Sequence, residues 1–213
     1  MMMLSALVLA SVCGPDQSVV ADLQLASAAV GSAPAAPASV PYFYQYANRY
    51  SPSRTCQNTS VAMLLKHYGV SITPDAITAR FGKDLAQSPE GLARVFNHYA
   101  SQAGIDERLE PTRAGSLEAF RRLAQGDDPV IVHGFMTSYG HVVVTTGYDG
   151  RAYTVNDPAG TWSQRFKGGY PRAAGESSSS GQGLRYGKAA FEQAISTYSG
   201  SGFAPLWYHR VVR

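Results

Sequence analysis

The sequence predicts an α+β fold in which N-terminal helices pack on a C-terminal antiparallel sheet. Three observations carry this. Between Thr55 and Ala124, apolar residues recur at helical spacing behind recognisable start signals. From Pro129 onward the period changes to short β-branched runs. The pair Asp149-Gly150 joins two of those runs as a hairpin, which makes them antiparallel neighbours.

Residues 1–39 read as a signal peptide with an Ala/Pro/Ser linker, and residues 40–213 as one folded domain. Met1 to Val12 is an apolar run shorter than the about 20 residues that cross a bilayer. Small residues with several possible cleavage points follow it, through Ala38. No Lys or Arg precedes Arg49, so the positive start typical of such a leader is missing. Cys13 follows the run, but the β-branched Val12 directly before it disfavours lipid attachment. In the folded part, Thr55 or Cys56 opens a helix with Val61, Leu64, Leu65 and Tyr68 at i, i+3, i+4 and i+7, stopped by Gly69. Thr73-Pro74-Asp75 and Ser88-Pro89-Glu90 open two more, each a capping residue followed by proline in the first turn. In the third helix Leu92, Val95, Phe96 and Tyr99 form the apolar stripe, and Gly104 ends it. Ser116 to Ala124 reads as a shorter helix.

Pro129 to Phe135, His141 to Tyr148 and Ala152 to Asn156 then read as strands. Lys167 to Gly187 is Gly/Ser-rich and too long for an ordinary connector, so it is expected to be a mobile lid or a disordered insertion. Lys188 to Ser196 reads as a last helix, and Leu206 to Val211 as a closing strand.

The chain has 213 residues, 45% apolar and 15% charged, which suits one domain around one core. A net charge of +3, without a basic stripe interleaved with aromatics, argues against nucleic-acid binding. No His/Cys/Asp/Glu cluster has metal-ligand spacing and no Gly-rich phosphate loop follows a strand, so no metal or cofactor is expected. Thirteen tyrosines with many Gly, Ser and Thr residues and little charge, together with the leader, point to a secreted, periplasmic or cell-envelope protein. Once the leader is removed no integral membrane segment is expected, and a monomer is anticipated. The mature chain then keeps one cysteine, Cys56, and an unpaired thiol in an exported protein is flagged as reactive.

Cys56 at a helix start, His141 at the head of a strand and Asp157 at the end of its hairpin partner follow the chain order of a papain-like cysteine enzyme. A thiol cleaves an amide only as the thiolate, and a free cysteine has a pKa of about 8.5, which falls at a helix N-terminus or beside a histidine. Cys56 has the first advantage from its helix position. His141 would supply the second, taking the thiol proton and later passing it to the leaving amine. The hairpin brings His141 and Asp157 to the same end, where the acid orients the imidazole. Gln45 is the candidate oxyanion donor, alongside the backbone N–H of Cys56.

Other histidines compete. His133 lies mid-strand and reads as structural; His67, near a helix end, reads as a cap; His98 and His209 have no partner pattern. Asn156 competes with Asp157, but alternation sends the two side chains to opposite faces, and the charge favours Asp157. Asn58-Thr59-Ser60 matches a glycosylation sequon that capping and turn chemistry explain better. Tyr42, Tyr44 and Tyr46 alternate along an extended run, as a groove wall or as an edge strand.

Val40-Pro41-Tyr42 with Gln45, Cys56 with Ser60 to Gly69, Gly140-His141-Val142-Val143-Val144, and Val155-Asn156-Asp157-Pro158-Ala159-Gly160 occur in that order. Together they resemble the double-glycine leader peptidases of bacteriocin exporters, and more closely their stand-alone relatives. The resemblance covers roughly Val40 to Gly160. It implies a papain-like fold, with Cys56 as nucleophile, His141 as base, Asp157 as orienting acid and Gln45 at the oxyanion. Two features depart from it: Gln57-Asn58 stands where the family usually has Gly-Pro, and the gap from Gln45 to Cys56 is longer, containing Arg49 to Arg54. The expected function is hydrolysis of amide bonds in a peptide or protein substrate through a thioester acyl-enzyme. A transglutaminase-like acyltransferase, a protein deamidase and a peptidoglycan amide hydrolase are the alternatives on the same machinery, and a binding module on a dead peptidase fold is the non-catalytic one.

Overall fold

A computed structural model describes residues 39–171, 181–197 and 206–213, within a compact unit that runs from Pro37 to Arg213. The expected leader and linker fall outside these residues except for Ser39. The elements are α1 (Cys56–His67), α2 (Pro74–Phe81), α3 (Pro89–Ala103), β1 (Arg108–Thr112), α4 (Leu117–Ala124), β2 (Val130–Gly134), β3 (His141–Tyr148), β4 (Ala152–Asn156), β5 (Leu184–Gly187), α5 (Lys188–Ser196) and β6 (Tyr208–Val212). Short 3₁₀ turns cover Gln45–Ala47, Pro52–Arg54 and Leu85–Gln87. The sheet order is β1-β6-β2-β3-β4-β5, and each neighbouring pair of strands is antiparallel. The α+β class holds.

The caps act as their residue types predict. Thr73 accepts from Ala76 N, Ser88 from Gly91 N and Ser116 from Ala119 N, each satisfying an amide that the helix cannot. In α1, by contrast, Thr55 makes no side-chain cap; its hydroxyl accepts from Asn48 Nδ2 instead. α1 is buried on every side from Gln57 to Leu65, so its periodicity understates its position as the central helix.

The sheet is covered on both faces, which the sequence reading did not foresee. Along β2 and β3, Ile131, Val142 and Val144 join the cluster formed with α1, α2 and α3. Their neighbours Val130, Val132 and Val143 join a second cluster built with Phe120 of α4 and Phe191 of α5. The period of two thus splits one apolar run between two cores. Arg121 of α4 grips Glu192 of α5 through two bonds of 2.7 Å, and Tyr153 Oη donates to the same carboxylate at 2.8 Å.

Three other expectations change. β1 was not anticipated, because Pro111 removes a backbone donor; it is tolerated on an edge strand paired only with β6. The expected loop from Lys167 to Gly187 contains β5, whose Tyr186 lies opposite Tyr153, while its serine-rich tract, 172–180, lies outside the described residues. The run from Val40 to Tyr44 is extended but forms no strand. It lies along the end of β4 through Asn156 Nδ2 to Val40 O at 2.9 Å, Tyr42 Oη to Asp157 O at 3.0 Å and Gln45 N to Pro158 O at 2.8 Å.

Candidate active site

Cys56 is the first residue of α1 and is partly buried. The first intrahelical bond runs from Thr59 N to Thr55 O, so the amides of Cys56, Gln57 and Asn58 precede the helical ladder and favour negative charge there. Ser60 Oγ donates to Val142 O at 3.1 Å, locking the first turn of α1 to the strand that begins with His141. A cavity of about 750 Å³ opens beside Cys56 and His141, walled by Arg54, Gln57, His133 and Trp207 among others.

His141 Nε2 lies 2.8 Å from Asp157 Oδ1, and both residues are buried. Cys56 and His141 line the same cavity, and the thiol donates to Gln57 Oε1 at 3.2 Å. Burial alone would depress the imidazole; the charge of Asp157 and the neighbouring sulfur outweigh it, so His141 is held protonated above its ordinary range. Chemically, such an arrangement can ionise a thiol and deliver a proton.

The meeting of His141 and Asp157 differs in detail from the sequence reading. Pairing of β3 with β4 ends at Val144–Asn156, after a bulge between Thr145 and Gly147. Asp157 therefore stands one residue past β4 and reaches His141 from outside the ladder, its N–H held by Gly181 O at 2.8 Å. That approach is tight: a Cβ on Gly181 would lie 1.9 Å from Asp157 O. Asn156 is committed elsewhere, donating to Val40 O and accepting from Gly183 N, so it does not compete as orienter.

Gln45 is buried on the 3₁₀ turn after the extended run. Its Nε2, which carries two hydrogens, donates one to Pro52 O at 3.0 Å, while Oε1 is buried without a partner. Gln45 is not among the residues that border the cavity. The extra residues before Cys56 therefore fold back onto the candidate oxyanion side chain.

Gln57 is the residue that sequence reasoning left without a role. Its Nε2 donates to Arg54 O at 3.1 Å and to Lys83 O, which fixes the amide orientation and turns Oε1 toward Cys56 Sγ at 3.2 Å. Its buried neighbour Asn58 bonds Thr78 Oγ1 and Gly82 O, which leaves no room for a glycan. The only signal in the sequence was the departure from Gly-Pro.

His133 sits in the cavity wall, stacked on Trp207 at 4.7 Å and edge-on to Phe135 at 5.0 Å. Burial, then the charge of His141, lowers it to about 4, so it is a neutral wall rather than a rival base. Its Nδ1 is buried without a partner. His209 Nε2 donates to Pro89 O at 2.7 Å, and the residue is structural. Among the described residues no group of His, Cys, Asp and Glu can hold a metal, and no helix is long and apolar enough to cross a membrane.

Thiol chemistry on this scaffold defines a class, the papain-like cysteine peptidases. The model of the peptidase C39-like family matches residues 37–180, and the chain belongs to that family. Among solved structures, the chain is similar to a putative C39-like peptidase from Bacillus anthracis, at 16% identity and a TM-score of 0.54, covering 82% of this chain and 95% of that one. It is also similar to a double glycine motif protease from an AMS/PCAT transporter in complex with the leader peptide, at 17% identity and a TM-score of 0.53, covering 84% and 94%. At those identities the likeness speaks for the fold. No curated protein matches the sequence.

Proposed function

We propose that this cysteine peptidase is exported and cleaves a peptide substrate through Cys56, His141 and Asp157. The observation that carries the reading is the buried 2.8 Å contact of His141 Nε2 with Asp157 Oδ1, beside the cavity that Cys56 and His141 both line. Since Nε2 is taken by the acid, Nδ1 is the ring nitrogen left for the sulfur. The thiolate attacks the scissile carbonyl carbon, and the electron pair of the C=O moves onto oxygen. The backbone N–H of Cys56 stabilises that oxyanion, one such donor contributing about 3–4 kcal/mol; Gln45 is the candidate second donor, through the amide hydrogen that Pro52 O does not take. As the C–N bond breaks, imidazolium Nδ1 gives its proton to the departing amine and a thioester remains. His141, now neutral, takes a proton from water, whose oxygen attacks the thioester; the acid product leaves and the thiolate–imidazolium pair returns.

A peptide substrate is supported by the family and by the relative held in complex with a leader peptide. Export rests on the apolar leader read in residues 1–39 and is checked by N-terminal sequencing of the protein recovered outside the cytoplasm. The mechanism is tested by incubating the chain and its Cys56→Ala and His141→Ala variants with a mixture of fluorogenic peptides. Cleavage by the parent and none by either variant is expected. Full cleavage by Cys56→Ala would overturn the reading.

A further inference from the structure

We propose that Tyr170 and Tyr186 are positioning residues of this site, their two phenolic hydroxyls occupying Asp157 Oδ2 so that the carboxylate is held with Oδ1 turned to His141. The inference rests on the Cys56–His141–Asp157 reading and extends it to two residues that no motif contains.

Asp157 has no exposed surface, so water does not solvate its charge. Four protein donors replace that water. Oδ1 receives His141 Nε2 at 2.8 Å and Ala159 N at 2.9 Å, while Oδ2 receives Tyr170 Oη at 2.9 Å and Tyr186 Oη at 2.8 Å. A carboxylate offers about four lone-pair sites, and here all are filled from donors.

The donors come from separate pieces of chain, and each is itself fixed. Tyr170 ends a loop tied to the segment after β2 by Lys167 N to Phe135 O at 2.8 Å and Gly169 N to Met136 O at 2.9 Å. Its ring also lies 5.1 Å from the His141 ring at 64°, so the residue that grips the acid also covers the base. Tyr186 is held in β5, and its oxygen accepts from Trp162 N at 3.1 Å, which polarises its O–H toward Asp157. Burial first, then the charge of Asp157, keeps both phenols far above the ordinary tyrosine range, so they remain donors at any working pH.

The other groups facing this cluster are few. Tyr42 Oη bonds the backbone oxygen of Asp157, Cys56 lines the same cavity as His141, and His133 stands in that wall in a neutral state. Among the described residues the only ion-pair partner of Asp157 is His141. Neutral hydroxyls therefore do the balancing that a lysine or arginine would do with a full charge, and they leave the charge of Asp157 available to the imidazolium.

Phenylalanine fills the same volume without the hydroxyl. The test compares Tyr170→Phe, Tyr186→Phe and the double variant by the pH dependence of Cys56 alkylation with iodoacetamide, with melting temperature followed in parallel. Without one donor, the carboxylate is held less firmly against the imidazole, and its hold on the imidazolium weakens. The acid limb of the alkylation profile is expected to move up by about one pH unit in each single variant and further in the double variant. If the double variant does not fold, the two single variants decide. Acid limbs superimposed on that of the parent, with only the melting temperature lowered, would overturn the proposal. Asp157→Asn separates the two levels. A profile it moves but the tyrosine variants do not ends this inference alone; a profile it leaves unmoved removes the triad reading as well.

Discussion

The two halves of the candidate site are built to different standards. At the acid–base end, His141 and Asp157 are enclosed by Tyr170, Tyr186, Ala159 and Gly181, drawn from β5, the loop after β4 and the loop before Pro171. At the thiol end, Cys56 has one neutral neighbour, Gln57 Oε1, and the candidate oxyanion donor Gln45 is tied to the Pro52 carbonyl. The first half is over-determined by a sheet and its loops; the second depends on a helix start and a turn that includes Ser51 at a left-handed φ of 46°. The comparison teaches where precision is needed. An imidazole must stay charged in a buried place, which takes several fixed partners, whereas a thiolate at a helix terminus must stay free to move onto a substrate.

Breaking the dense half gives the largest expected effect. Asp157→Asn keeps the volume but removes the charge that holds His141 protonated, and kcat/KM for peptide cleavage should fall by about 10³–10⁴. A drop under about tenfold in a folded variant would mean that the acid does not orient the base. Next comes the residue before His141. Gly140 has a φ of +84°, and a Cβ there would lie 2.4 Å from His133 Nε2. Gly140→Ala should therefore destabilise the fold by about 2–4 kcal/mol in urea titration and move His141 with it. An unchanged unfolding midpoint would refute the close approach.

Buried imidazoles sharpen the same contrast, because those without a carboxylate behave in the opposite way. His133 and His209 are lowered from 6.5 to about 4, in each case chiefly by burial. Between those pH values the unfolded chain binds protons that the folded chain refuses, so stability is complete above about pH 6.5 and declines as pH falls toward 4. For His209, fully buried against Pro89 O, the decline is about 2–3 kcal/mol. His209→Gln should flatten the slope of melting temperature against pH; an unchanged slope would place the acid sensitivity elsewhere. The raised His141 contributes in the other direction, with stability present below about pH 6.5 and lost as pH rises through its higher folded value.

The smallest effect belongs to the loose half. Gln57→Glu puts a carboxylate where a neutral oxygen now lies 3.2 Å from the sulfur, and like charges at that distance disfavour the thiolate. Alkylation of Cys56 near neutral pH should slow by about tenfold, while Gln57→Ala changes it less. Equal rates in both variants would show that Gln57 does not face the thiol in solution.

The contrast also explains what the sequence disclosed. Caps and periodicity located α1 to α3, a shorter helix was read over α4, and β-branched runs located β2 to β4, because those signals are local. Cys56, His141 and Asp157 were legible because each sits at an element end with a chemistry-bearing side chain. β1 was hidden by Pro111, which only its edge position permits. Tyr170 and Tyr186 were hidden because their segment, rich in Gly and Ser, reads as a lid, and nothing local says that two tyrosines sixteen positions apart converge on one carboxylate oxygen. Gln57 was visible as a departure from the family pattern, but its direction depends on Lys83 O, which lies after α2.

The account stands on sulfur and imidazole acting as one unit, and Cys56 alkylation by iodoacetamide in the parent and in His141→Ala tests this most directly. At about pH 6, His141→Ala should be alkylated at least about tenfold more slowly than the parent, while matching it in strong alkali. Identical pH profiles for the two proteins would contradict it.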